Sequence, residues 1–163
     1  MIKTSKHLKF SVFGVVVPQG RPRFSTRNGY PIAYDPPKSK AYKQKIFEAF
    51  WYAIKIEDYE RYEQKNEPLF LTNPVGIKIT EHRQIPKSWS KIKKQNAIQG
   101  LEKPVTRPDL DNVTKIVLDA LNGHAWHDDG QVIEIYARKI YDLNPRLEIE
   151  IYEISETGEQ SEN

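Results

Sequence analysis

Between Leu110 and Asn122 the chain divides into two stripes. At about 100° per residue, Leu110, Val113, Ile116, Val117, Ala120 and Leu121 fall on one side of a helix. Asp111, Asn112, Lys115, Asp119 and Asn122 share an arc of about 100° on the other, with Leu118 the one apolar residue near it. One side must pack on another layer. The other can hold a ligand.

The remaining elements follow from pattern and punctuation. Leu8 to Val17 is rich in β-branched and aromatic residues and stops at Pro18, which predicts a first strand. Val75 to Thr80 alternates as a second strand, starting as early as Leu69 with a bulge at Pro74. Gln131 to Ile140 and Leu147 to Ile154 predict two more, joined near Asn144-Pro145 as an antiparallel hairpin. Ser39 to Tyr62 lacks Gly and Pro and spaces Tyr42, Ile46, Ala49, Phe50 and Ala53 at helical intervals, a long helix capped by Ser39. Pro86 to Gln99 reads as a short basic helix capped by Ser88 and ended by Gly100. The stretch from Gln19 to Pro37, interrupted by Gly and Pro, predicts a loop or loose hairpin that exposes Phe24, Tyr30 and Tyr34 as rings on which bases could stack.

At 163 residues the chain is long enough for one domain, expected over 1–154, with an acidic, disordered tail over 155–163. The absence of cysteine excludes disulfides and thiolate-bound zinc and fits a cytoplasmic setting. There is no secretory h-region and no apolar run of about 18 residues, so no membrane partner is expected. The net charge of +3 conceals an uneven distribution. Arg21, Arg23, Arg27, Lys38, Lys40, Lys43 and Lys45 face one acid, Asp35; Arg83, Lys87, Lys91, Lys93, Lys94, Lys103 and Arg107 face Glu102 alone. A solvated face accounts for either block singly, but two blocks around a carboxylate cluster point to a polyanion.

That cluster is Arg107-Pro108-Asp109-Leu110-Asp111-Asn112, then Lys115, then Asp128-Asp129. Carboxylates among phosphate-attracting charges imply a divalent metal acting on a phosphodiester, and hence an endonuclease. Two residues along a helix turn about 200°, so Asp109 and Asp111 can face one ion only if Asp109 sits at a non-helical N-cap, an arrangement Pro108 favours. Each residue also has a bland role. Asp109 can cap and Asp111 can favour the helix dipole; Asp128-Asp129-Gly130 can form a tight turn; Lys115 can pair with Asp111 one turn back. What favours function is conjunction, because one helix and a short turn could fold the two acidic pairs together and four acids repel unless they share a cation. Lys115 would then offset charge on the phosphate oxygens. Asp119 lies about 12 Å along the helix from Asp111 and is at most a supporting residue. His124 and His127 invite a general-base role but lie beside aromatics as polar tips would, and Trp126 reads as core packing.

At these residues the chain resembles the RusA family of Holliday junction resolvases. The resemblance rests on Arg107-Pro108-Asp109-Leu110-Asp111-Asn112, Lys115, Leu118-Asp119-Ala120-Leu121-Asn122 and Trp126-His127-Asp128-Asp129-Gly130-Gln131-Val132, with Gly20-Arg21-Pro22-Arg23-Phe24 similar to the basic loop of phage-type members. It implies a small α/β (α+β) fold with helices packed on a mixed sheet, acting as a homodimer on branched DNA. It also implies that Asp109, Asp111 and Asp129 hold Mg²⁺, with Mn²⁺ as a substitute, Asp128 a weaker neighbour and Lys115 at the phosphate. Arg21, Arg23, Arg27, Lys38, Lys40 and Arg107 are the expected DNA contacts. Two rival readings keep the same residues: a noncatalytic nucleic-acid-binding module, and a metal-dependent DxD nucleotide-sugar transferase, for which the chain is short and lacks a Gly-rich loop after a strand.

Overall fold

The computed structural model describes residues 6–155. In chain order the elements are β1 (His7–Phe13), β2 (Arg23–Arg27), β3 (Tyr30–Tyr34), α1 (Pro37–Ala53), α2 (Ile56–Lys65), β4 (Val75–Gln84), α3 (Lys91–Ile98), α4 (Leu110–Leu121), β5 (Val132–Asp142) and β6 (Arg146–Glu153), with a short 3₁₀ turn at Asp129–Gln131 before β5. Four strands form a mixed sheet in the order β1-β6-β4-β5, and β2 and β3 form a separate two-stranded sheet. The expected α/β class with helices on a mixed sheet is therefore what the chain adopts.

The core lies between α1, α4 and one face of the large sheet. Val75, Ile77 and Ile79 of β4 and Leu147, Ile149 and Ile151 of β6 are fully buried, as are Val113, Ile116, Val117 and Leu121 of α4, with Ile46 and Phe50 of α1 packed among them. The apolar stripe read from the sequence of α4 is thus the face that packs. At roughly 1.5–3 kcal/mol per buried large aliphatic side chain, this stripe is what fixes α4 on the sheet and turns its polar face outward.

β5 and β6 do not form the expected hairpin. β4 lies between them, parallel to β5 and antiparallel to β6. The chain leaves β4, crosses over through α3 and α4, and returns as β5, the long connection a parallel pair requires. The 143–145 link then steps over the end of β4. There His82, nearly buried, places Nδ1 3.0 Å from Asp142 at the end of β5 and Nε2 3.3 Å from Glu148 of β6.

Other boundaries shift for local reasons. β1 ends at Phe13 because Gly14, at φ +103°, turns the chain. The long N-terminal helix is two helices, α1 and α2, broken at Ile54 and Lys55, both extended. Ser39 is no cap; it is buried, and its Oγ accepts a hydrogen bond from the Gly20 N–H at 2.9 Å. Ser90, and not Ser88, caps α3, accepting from the Lys93 N–H at 3.2 Å. β4 runs on to Gln84, and its irregularity lies at Val75-Gly76 and not at Pro74. The loose hairpin is a regular one: Asn28 (φ +54°) and Gly29 (φ +81°) form the two-residue turn of positive φ that suits a twisted ribbon. Glu148, Glu150 and Glu153 belong to β6. Of the expected tail, all but Ser155 lies outside the described residues. Among the described residues no helix is long and apolar enough to cross a membrane.

Candidate active site

The segment leading into α4 is held from below by the sheet. The Arg83 guanidinium donates to the carbonyl oxygens of Thr106 (2.7 Å) and Pro108 (3.3 Å), and the Lys139 ammonium donates to the same two oxygens at 2.9 and 3.2 Å. Arg83 is in turn fixed by Glu81, whose carboxylate accepts at 3.1 Å and whose side chain is almost wholly buried. Glu81 and Lys139 were not expected from the sequence to matter, and Arg83 was counted among cations facing a polyanion. Its charge is instead used inside the molecule. The signal was present as Glu81 and Arg83 alternating on one strand, but only the fold shows what they hold.

Two cations thereby position the residue after Pro108. Asp109 stands at the N-cap of α4 in extended conformation (φ −73°, ψ 141°), as Pro108 led one to expect, yet its side chain makes no capping hydrogen bond. Asp111 follows in the first turn, exposed. Among the described residues neither carboxylate has a protein hydrogen bond or ion pair, and Lys115 does not pair with Asp111. The bland roles of a capping Asp109 and an i,i+4 pair are therefore not the ones these side chains take.

The charge of Lys115 is felt instead at Asp35, which the sequence offered only as the single acid in a basic stretch. Asp35 lies just past β3; Lys43 of α1 donates to it at 2.6 Å and Gln19 Nε2 at 3.1 Å. The hydrogen bond from Lys43 holds the Asp35 carboxyl below the usual range against the opposing effect of burial, and the Lys115 charge adds to the lowering. Lys43 also approaches Asp119 of α4 at 3.5 Å, so Asp119 is a structural ion-pair partner. The Gln19 N–H donates to the Asn112 carbonyl at 3.1 Å, which ties the start of the basic loop to α4 itself.

The second acidic pair is elsewhere. α4 has 12 residues and separates its ends by about 18 Å. Trp126, which bridges to Asn122 beyond the C-terminal end of α4, donates from Nε1 to Asp129 Oδ1 at 2.9 Å. Asp128 closes the turn, accepting from the Gly130 N–H at 3.3 Å. The strands give the same answer: Pro108 rests on Lys139, about 23 Å along β5 from Val132. Within one chain Asp128 and Asp129 do not join Asp109 and Asp111, which corrects the expectation that the helix and turn fold the two pairs together. The helix between them is a rigid spacer. Among the described residues no three acidic, histidine or cysteine side chains cluster closely enough to hold a metal ion.

Residues 14–152 match the family described as endodeoxyribonuclease RusA. The chain belongs to that family. The uncharacterized protein YqaN of Bacillus subtilis (strain 168) is 41% identical over 150 residues, 91% of this chain and 97% of that protein. RusA endonucleases resolve Holliday junctions and bind branched DNA, so the chain is by family a junction-resolving nuclease.

For a RusA-family nuclease the cations near α4 matter as much as its acids. Arg21, Arg23, Arg27, Lys38, Lys40 and Arg107 are all exposed, and none forms an ion pair among the described residues. In the second basic block Lys93 lies 4.2 Å from the centre of the Trp89 ring and Arg83 is committed internally, while Lys87, Lys91 and Lys103 are exposed. Of the histidines expected to tempt a general-base assignment, His124 packs between the rings of Phe47 and Tyr62, with the Tyr62 hydroxyl 3.0 Å from its Nδ1. Burial pushes its pKa down. It lies past the end of α4 opposite Asp109. His127 is exposed beside it, its N–H donating to Gln131 Oε1 at 2.8 Å. Trp126 is fully buried, as core packing requires.

Proposed function

We propose that the chain is a Mg²⁺-dependent endonuclease that resolves four-way DNA junctions by paired, symmetric nicks in recombination and repair, acting in the cytoplasm as a homodimer. The observation that carries this reading is the start of α4: two exposed carboxylates without a protein partner among the described residues, Asp109 at the N-cap and Asp111 one turn before Lys115, with the exposed Arg107 just ahead of them. Hard carboxylate oxygens suit Mg²⁺, and Mn²⁺ accepts the same donors. When bound, the ion would supply Lewis-acid stabilisation of phosphate charge and lower the pKa of an attacking water.

Asp109 and Asp111 would hold the ion, and Lys115 would stand against the nonbridging phosphate oxygens, its approach set by Asp35 on the neighbouring loop. Arg83 and Lys139 fix the backbone that carries Asp109. Arg21, Arg23, Arg27, Lys38, Lys40 and Arg107 would bind the phosphate backbone, with an affinity that falls as salt rises and carries little sequence information.

Asp129 enters this reading from a second copy. In one chain α4 keeps it away from Asp109 and Asp111, so a metal set of all three needs the partner's Asp129, with Asp128 beside it. A C₂ dimer makes two such sites, as two symmetric nicks require. The exposure of Ile133, Ile135 and Tyr136 on β5, an edge strand, favours a partner surface there.

The test compares nicking of a synthetic four-way junction with nicking of linear duplex, in Mg²⁺ and in chelator. Paired, metal-dependent cuts confined to the junction are expected, abolished by Asp111→Asn while junction binding is retained. Equal cutting of plain duplex would count against junction selectivity. Unimpaired cutting by Asp111→Asn would remove the site and restore the noncatalytic module as the better reading.

A further inference from the structure

The β2–β3 hairpin stands away from the rest of the molecule. Every residue of both strands is exposed, and the pair bonds only to itself. Its register sorts the side chains. Arg23 is opposite Tyr34, Ser25 opposite Ile32, and Arg27 opposite Tyr30, whereas Phe24 is opposite Ala33 and Thr26 opposite Pro31. Cross-strand partners share a face and successive residues alternate faces, so two Arg–Tyr pairs bracket Ser25 and Ile32 on one side. Phe24 is on the other. Tyr30 is 75% exposed and Tyr34 45%, far more than packed rings would be.

The two ends of this arm are anchored beside α4. Before β2, the Gln19 N–H bonds to the Asn112 carbonyl and the Gly20 N–H to Ser39. After β3, Asp35 is held by Gln19 and Lys43. The Arg–Tyr face is thus borne on an arm rooted next to the residues proposed to cut. Between Gly20 and Tyr34 there are three arginines and no acid, a charge that complements a polyanion and disfavours a second copy of this basic arm. Isolated exposed aromatics flanked by guanidinium groups are what single-stranded segments bind: the rings take bases whatever their identity, and the arginines take phosphates.

We infer that the Arg23–Tyr34 and Arg27–Tyr30 face of the arm binds unpaired nucleotides at the branch point of the junction, its tyrosines stacking on bases. This deepens the proposed function and rests on it. Stacking in a continuous duplex hides the base faces from such a surface, so the arm favours branched over linear DNA. It adds shape selectivity that phosphate contacts lack.

The test is equilibrium binding in chelator, with 2-aminopurine at the branch point, of the full chain to a four-way junction and to linear duplex. Tyr30→Ala and Tyr34→Ala are each expected to weaken junction binding by roughly 5- to 100-fold, to leave duplex binding nearly unchanged and to relieve 2-aminopurine quenching. Tyr→Phe at either position should keep binding, Arg27→Gln should lower the salt slope by about one, and Phe24→Ala should change neither affinity nor quenching. Wild-type preference for the junction that survives both Tyr→Ala changes, or an equal effect from Phe24→Ala, would overturn the inference while leaving the proposed function intact. So would a Tyr→Ala variant that loses its oligomeric state, which would make the face a contact between copies. A wild-type chain indifferent to branching would sink the proposed function first, and this inference with it.

Discussion

Asp109 occupies a capping position and does not cap. A side chain that leaves the helix N–H groups it could satisfy, in extended conformation and fixed from behind by two cations through the backbone, is placed for another partner. That much was legible in the sequence, since Pro108 sets an extended residue before α4 and the apolar stripe forces Asp111 and Lys115 outward. Asp35 was not legible as part of the site. Its closeness to Lys115 depends on how the β3–α1 loop packs across α4, a long-range contact with no local pattern. Among the described residues Lys115 makes no ion pair, so Lys115→Ala is expected to lower single-turnover cleavage by about 10²–10³-fold and leave the melting temperature nearly unchanged. Cleavage within twofold of wild type would remove Lys115 from the chemistry.

At the scale of elements the misreadings share a cause: the sequence shows what an element is more readily than which neighbour it takes. Both C-terminal strands are where alternation put them, but β4 lies between them, paired on both sides and more buried than either. Asn28-Gly29 was a sufficient hairpin signal that the surrounding prolines masked. The length of α4 held the answer about Asp129, because 12 helical residues keep their ends apart however the flanking turns bend. The Glu81–Arg83 pair under the α4 approach gives an element-scale prediction. Arg83→Leu leaves a buried carboxylate unpaired and is expected to cost about 3–5 kcal/mol in urea unfolding. Glu81→Met with Arg83→Leu should recover most of that stability but not the cleavage rate, since the carbonyls of Thr106 and Pro108 lose their clamp. Full recovery of both would mean that the pair stabilises the fold without positioning Asp109.

For the whole molecule, charge links the fold to pH. Asp35, Asp142, Glu148 and Glu150 are all held below their ordinary values, by Lys43, by the Asn144 N–H with His82, by His82 with Arg146 against the opposing effect of burial, and by His7 respectively. Each contributes stability that is present above its unfolded pKa near 4 and is lost as pH falls through the lower folded value. The melting temperature should therefore decline steadily below about pH 4; a flat profile from pH 5 to 2.5 would show that these contacts do not stabilise the native state. The assembly is the level at which the sequence is most silent, because no residue pattern says that a site is shared. If the partner's Asp129 completes each site, Asp111→Asn and Asp129→Asn homodimers should both be inert. Subunit exchange between them should produce heterodimers with one intact site that nick one strand of a four-way junction in Mg²⁺. An exchanged mixture as inactive as either parent, beside an active wild type, would contradict the shared centre on which the account turns.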